Sequence, residues 1–482
     1  MKTSKTLILL LSLLLAVAFI GCEGEQGPEG PEGPTGPKGD PGDPAVTVEY
    51  TFLGNGGQDC AHCHQSTVNA WETTGHVHAY DNLAPADRDR PYCLQCHTTG
   101  WDSPVSFADT EITTYGPDLY GYDDYFGDDT EEGEMRRHAL AGVQCEACHG
   151  PMGPEFNAHR PLMSFSTHND TDTGESTSLC AQCHGGQLTE WLESGHGLAG
   201  GTTVEGFNAQ HYAHNATCAV CHTSEGFILN NDPRYATYEF PHEVSQIGCV
   251  TCHDPHSGGN EHQLRALGAV SVSYFEDELD VPSMSGFGTG QLCAQCHHAR
   301  GDYASIQGQI DVGAGRVGPH HSNQMDLFIG HGSYEIEGYT YDRLAGFSHN
   351  NVTNACVGCH MTRDAEMHGS VEEHAFHTFA PEAGSCTSCH TTMTDIESFR
   401  ADMTAEIEGK LDQIAVLCGY TDYHAFEAAW NADNRSKERW QREIGYAAIY
   451  VLSDGSMGIH NPTYANSLLD NAIEHGNAQV AR

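Results

Sequence analysis

Basic residues are scarce in this 482-residue chain: 21 Lys and Arg stand against 66 Asp and Glu, a formal charge of −45. Such a chain repels phosphate backbones and bare anionic lipid surfaces, which argues against a nucleic-acid partner. Long apolar runs are lacking after residue 22, so nothing later approaches the length of a membrane-crossing helix. No Ser-His-acid set, phosphate-binding loop or hydride-transfer fingerprint stands out. Spare cysteine is lacking too. Of 20 cysteines, all but Cys22 and Cys418 belong to one recurring pentapeptide, so there is no disulfide framework to read.

That pentapeptide is Cys-x-x-Cys-His, and it occurs nine times, beginning at Cys60, Cys93, Cys145, Cys180, Cys218, Cys249, Cys293, Cys356 and Cys386. Two thiols three apart also suit zinc or a redox disulfide. Nine copies with histidine always in fifth place instead match covalent haem attachment, in which both thiols form thioethers to one haem and the next imidazole reaches its iron. The sequence therefore predicts nine haem c groups. Their attachment sites are Cys60 and Cys63, Cys93 and Cys96, Cys145 and Cys148, Cys180 and Cys183, Cys218 and Cys221, Cys249 and Cys252, Cys293 and Cys296, Cys356 and Cys359, and Cys386 and Cys389. The proximal ligands are His64, His97, His149, His184, His222, His253, His297, His360 and His390. We number these motifs one to nine in chain order.

Of 32 histidines, 23 remain as candidates for the opposite face of each iron. Repeats single some of them out. CAHCHQSTVNAWETTGH, ending at His76, and CAQCHGGQLTEWLESGH, ending at His196, share one frame, and CLQCHTTGW from Cys93 compares with CAVCHTSEGF from Cys218. VQCEACHGP and IGCVTCHDP also correspond, so motifs one to three and four to six read as two copies of a three-haem module. The expected modules span about 55–165, 175–265 and 290–394, the third without a recognisable Trp-x-x-[Ser/Thr]-Gly-His segment. A second regularity is spacing: His138, His211, His242 and His349 each lie seven residues before a motif's first cysteine, where chance would give roughly half a hit among nine motifs. His78, His256, His262, His320, His321 and His331 stand as replacements. Chain order leaves open which iron each would reach.

The N-terminus reads as an export signal over 1–21: Lys2 and Lys5, an apolar run from Leu7 to Ile20, then Gly21-Cys22. The end resembles a bacterial lipobox with Phe19 where Leu is usual, which makes Cys22 the expected lipidation site; ordinary cleavage leaving Cys22 free is the competing reading. Residues 22–45 carry glycine at every third position from Gly24 to Gly42, a collagen-like pattern read as a semi-rigid polyproline-II spacer or as a trimerising stalk. The acidic run from Asp123 to Glu134 offers oxygen ligands for calcium without an EF-hand pattern, and a solvated loop is the alternative.

From Cys60 to His159 the order of motifs, Trp segment, CHTTG and CEACHGP resembles the tetrahaem cytochrome that accepts electrons from hydroxylamine oxidoreductase, and its multihaem relatives. The resemblance implies axial roles for His76 and for His159, the histidine after CHGP. The C-terminal DGSMGIHNPTYANSLLDNA is similar to the end of octahaem hydroxylamine oxidoreductases and pentahaem nitrite reductases, where helices pack on the haem core and a histidine at the place of His460 is a ligand. His377, before Cys386, is expected as a ligand by analogy with His242. No motif here ends in Lys, as one does in the usual pentahaem nitrite reductase. The lipoprotein start resembles that of decahaem cell-surface cytochromes, but no long alternating stretch would build their β-barrel domains.

The expected architecture is mainly α with much irregular loop and little β: a haem-packed domain over 46–394, then a helical segment over 395–482. With roughly 37 residues per haem there is too little chain to build a separate core around each, so the porphyrin faces are expected to replace Leu and Val as the interior. Two functions compete. One is a lipid-anchored electron conduit of bis-His haems on the outer membrane, surface-exposed or periplasm-facing, working with other cytochromes or an outer-membrane conduit and passing electrons to an extracellular metal or mineral. The other is a hydroxylamine oxidoreductase-like or nitrite reductase-like enzyme with one open iron.

Overall fold

Helix N-termini need side-chain oxygens and helix ends need a residue tolerant of left-handed geometry, and the last quarter of the chain supplies both. The computed structural model describes residues 52–101, 121–150, 179–198, 215–235, 244–260, 262–271, 283–301, 303–313, 317–343, 349–362, 376–393 and 395–482. Cys22, the 22–45 spacer, His159, His211 and His242 lie outside them. Four helices close the chain: α1 (Ile396–Leu417), α2 (Tyr423–Asp433), α3 (Arg439–Asp454) and α4 (Pro462–Val480). Asp395, Asp422 and Asn461 cap α1, α2 and α4 by accepting from Ser398 N, Ala425 N and Tyr464 N, and Gly455 ends α3 at φ 79°.

These helices hold the largest apolar core among the described residues. Ile407, Leu411 and Ile414 of α1 meet Phe426 and Trp430 of α2, Ile444 and Tyr450 of α3, and Tyr464 and Leu468 of α4. Ile306 and Ile310 of the helix Tyr303–Val312 join them, tied across by Arg442, whose guanidinium donates to Ile310 O and Asp311 O. The apolar residues at helical spacing along α1, Phe399, Met403, Ile407, Leu411, Ile414 and Leu417, are buried at Ile407, Leu411 and Ile414, while Phe399 is 42 % exposed and lies near the His390 ring. Cys418 is a free, buried thiol.

The haem-motif region is built differently. Its helices are mostly one or two turns, among them Pro91–His97, Cys145–His149, Ala216–His222, Cys249–Cys252 and Val357–His360, each on a motif. Strand is limited, among the described residues, to Val270–Ser271 paired antiparallel with Ser283–Met284 and isolated bridges. Among the described residues the fold is thus mostly helical with little strand, as the composition and motif density led us to expect. One apolar cluster of this region has only Leu94, Tyr122 and Leu140 as buried members.

The two sequence repeats fold alike in detail. Thr99 Oγ1 donates to Gly142 O and accepts from Gln144 N, tying the residue after Cys-x-x-Cys-His-Thr to the approach to motif three. Ser224 Oγ donates to Gln246 O and accepts from Gly248 N, the corresponding places before motif six. Trp71 and Trp191 are both buried, and the hydroxyl three residues on, Thr74 or Ser194, donates back to the Trp carbonyl at 2.8 and 2.6 Å. That bond closes the chain into a turn after the Trp and fixes where the following Gly-His points.

Candidate haem-ligand sites

Each motif closes a helical turn. In motifs four, six, seven, eight and nine the histidine N–H donates to the first cysteine's carbonyl at 2.8–2.9 Å, which brings that thiol and the imidazole to one side. Among the described residues, a second imidazole lies across from seven of the nine motif histidines. Ring centroids are 6.3 Å apart for His184 and His76, 6.1 Å for His297 and His196, 6.0 Å for His149 and His256, and 6.2 Å for His253 and His377. They are 6.2 Å apart for His390 and His349, 6.0 Å for His360 and His460, and 5.9 and 6.4 Å from His222 to the adjacent His320 and His321.

This spacing fits a metal between the rings. Bonds of about 2 Å from one iron to nitrogens on opposite sides put imidazole centroids roughly 6 Å apart. Interplanar angles run from 8° for His149 and His256 to 79° for His349 and His390, so face-to-face stacking is not what unites the set. A ligand imidazole must also be neutral, and burial provides that by disfavouring the charged form. It lowers the pKa of His76, His184, His253, His256, His297 and His360, and takes His196 and His222 to about 4.

One ring nitrogen is held in several of these histidines, and in His97 of motif two. Nδ1 of His97, His253, His349 and His360 donates to the carbonyls of Ala79, His262, Ile459 and Phe379 at 2.5–2.8 Å, and His297 Nδ1 faces Gln324 Oε1 at 3.2 Å. His460 differs: its Nδ1 lies 2.6 Å from Asp454 Oδ1, a carboxylate with no solvent exposure. Burial pushes the His460 imidazole down, and the Asp454 charge more than offsets it, leaving its pKa above the ordinary value.

The pairs follow an offset. The Trp segment after motif one supplies His76 to motif four, and that after motif four supplies His196 to motif seven. In the other direction, His256 after motif six faces motif three, and His377 before motif nine faces motif six. His349 faces His390 of motif nine, not its own motif's His360. Of the sequence candidates, His76, His196, His349, His377 and His460 meet a motif histidine in this way. His138 is exposed on the helix Glu131–Ala139, and among the described residues no imidazole faces it. The spacing of seven residues before a motif therefore does not have one structural meaning. His256, His320 and His321, ranked below these in the sequence, face motif histidines. The available signals were the His-x-x-His run into His256 and the His320-His321 doublet.

The thiols place the motifs beside one another. Cys60 lies within hydrogen-bond reach of Cys145, Cys180 of Cys249, and Cys293 of Cys356, while Cys96 reaches Cys183 and Cys221 reaches Cys296. Cys148 lies within electrostatic reach of Cys180 and Cys183, Cys252 of Cys296, and Cys359 of Cys386. The contact joining motif one to three and four to six joins seven to eight, so nine stands outside the repeat. Burial pushes Cys148 to about 11 and Cys252 to about 12, as expected for sulfurs packed in a low dielectric.

In the acidic run, Asp128 Oδ1 accepts from Thr130 N and Thr130 caps the helix Glu131–Ala139. No group of three or more His, Cys, Asp or Glu poised to hold a metal ion occurs there or elsewhere among the described residues.

Paired imidazoles over thiol-bearing turns define a haem protein of the c type. A family model described as cytochrome c554 and c-prime matches residues 59–116, which hold motifs one and two, and 179–254, which hold motifs four to six, and one described as cytochrome c552 matches 321–482. The C-type polyheme cytochrome OmcB of Geobacter sulfurreducens is 31% identical over 181 residues, 33% of this chain and 21% of that protein. The multiheme cytochrome MtrA of Shewanella baltica is 24% identical over 175 residues, 34% of this chain and 45% of that protein. The matched stretches thus span less than half of either relative. Among solved structures, the undecaheme cytochrome from the S-layer of Carboxydothermus ferrireducens covers 80% of this chain and 55% of its own (TM-score 0.44, 20% identity). The outer cell wall cytochrome OcwA covers 88% and 99% (TM-score 0.47, 16% identity). The chain is a multihaem c-type cytochrome.

Proposed function

We propose that this cytochrome carries nine haem c groups, each iron between two imidazoles, and serves as an electron conduit outside the cytoplasm. The observation that carries the reading is the set of seven motif histidines with a second imidazole 5.9–6.4 Å away. An iron held on both faces has no position for substrate; what remains to it is taking up and giving up single electrons. The thiol contacts support a path through motifs one, three, four, six, seven, eight and nine, with two beside four and five beside seven. Electrons would leave for another cytochrome or for an extracellular metal or mineral. The proposed anchor is a lipid on Cys22, with the Gly-x-y spacer holding the haem domain away from an outer membrane.

No helix of the described residues is long and apolar enough to cross a membrane. Two measurements test the reading. The mature polypeptide from a host competent in cytochrome maturation should show a mass with nine haem increments. Electron paramagnetic resonance of the oxidised protein should show low-spin iron throughout. A high-spin ferric signal near one haem in nine, with nitrite or hydroxylamine binding to it, would overturn the conduit in favour of an oxidoreductase resembling hydroxylamine oxidoreductase or nitrite reductase.

A further inference from the structure

The turn between α3 and α4 touches the ligand shells of three successive motifs. Asp454, the last residue of α3, holds His460, which faces His360 of motif eight. Its backbone carbonyl accepts from Gln324 Nε2 at 3.2 Å, and Gln324 Oε1 faces His297 Nδ1 of motif seven. Five residues on, Ile459 O accepts from His349, which faces His390 of motif nine. The turn is tightly made: Gly455, Met457 and Gly458 have φ of 79°, 50° and 83°. Ser456 N donates to Asp454 Oδ2 at 3.0 Å, Ser456 Oγ donates to the same oxygen, and His460 N donates to Ser456 Oγ at 3.1 Å. Phe328 closes over the His460 ring edge-on at 6.4 Å.

From this arrangement we propose that Asp454 is a positioning residue that sets the reduction potential of the motif-eight haem below those of its two neighbours. The proposal rests on the bis-His reading above. A ring N–H donated to a buried carboxylate leaves the imidazole more electron-rich than one donated to a neutral carbonyl or amide, and a more basic ligand stabilises ferric over ferrous iron. The carboxylate's own charge, in a dry site, acts in the same direction. His349 and His297 of the flanking motifs meet a carbonyl and an amide instead. The step concerned is one electron, received from motif seven or nine and passed to the other, with no proton transferred. The motif-eight site then acts as a raised step between its neighbours, and the turn that makes it is shared by all three.

The test uses the full-length holoprotein. Asp454→Asn keeps size and a hydrogen-bond acceptor while removing the charge. In a spectroscopically followed redox titration one component in nine should move to higher potential, with the low-spin ferric signal of that haem shifted and the haem mass unchanged. Asp454→Glu should return the component toward the original value. Ser456→Ala, which removes a hydroxyl donor from the carboxylate and leaves it a stronger acceptor for His460, should move the same component by less and to lower potential, and it keeps the proposal testable if Asp454→Asn fails to mature. Titration curves that superimpose on the parent in a fully haem-loaded Asp454→Asn or Ser456→Ala protein would overturn the proposal. Because the parent's haem count and spin state are measured first, that failure is distinct from failure of the bis-His reading.

Discussion

At the scale of single residues, the Cys-x-x-Cys-His turns were legible because haem attachment within one turn requires a fixed local spacing. The imidazoles that face their histidines were not, because such a ring needs only to be aimed across from a motif, and the chain supplies it from far along the sequence. His76 and His196 could be singled out by their repeated Trp frame, whose Thr74 and Ser194 bonds to the Trp carbonyl fix the turn. Nothing in that frame says the next module receives them. His196→Gly should therefore convert one low-spin haem to high-spin, with added imidazole restoring the low-spin signal. Combining it with Cys293→Ala and Cys296→Ala should abolish the new signal, whereas combining it with Cys180→Ala and Cys183→Ala should leave it. The reverse outcome would mean that His196 serves its own motif.

At the scale of elements, the C-terminal helices behave as an ordinary apolar core beside a region of short turns whose buried side chains fall into smaller clusters. Trp430 of α2 is fully buried, and Gly445 of α3 lies so close that an added Cβ would stand 2.2 Å from its ring. Trp430→Ala should cost about 3–5 kcal/mol by opening a cavity, and Gly445→Ala about 1–3 kcal/mol by overpacking. Both would be read from denaturant unfolding followed by far-ultraviolet dichroism, with haem mass unchanged because the attachment sites lie upstream. An unaltered midpoint would mean that this core does not limit stability. The helical stripe on α1 was visible in the sequence from its spacing, but Phe399 at its start is drawn to the His390 ring, which apolar periodicity cannot register.

At the scale of the whole molecule, 66 acidic against 21 basic residues create a negative field that any redox partner meets before contact. Reduction by a small cationic donor should slow as salt is raised and reduction by an anionic donor should quicken, because screening weakens attraction and repulsion alike. Stopped-flow traces across ionic strength check this, and rates indifferent to salt would show that the entry haem is shielded from the net charge. The helical, loop-rich class was foreseeable from motif density, whereas the placement of motif eight beside seven, where the repeat puts three beside one, emerged only in three dimensions.

The crossed histidines have a consequence for how such a chain can grow. The middle module gives one imidazole forward and one backward, and is met by His76 from before it and His377 from after it. Its two ends are complementary couplings, like those of railway carriages. A duplicate inserted in tandem would find matching hitches for its first and third motifs on both sides, whereas its second would still call on the His320-His321 doublet of the carriage beyond.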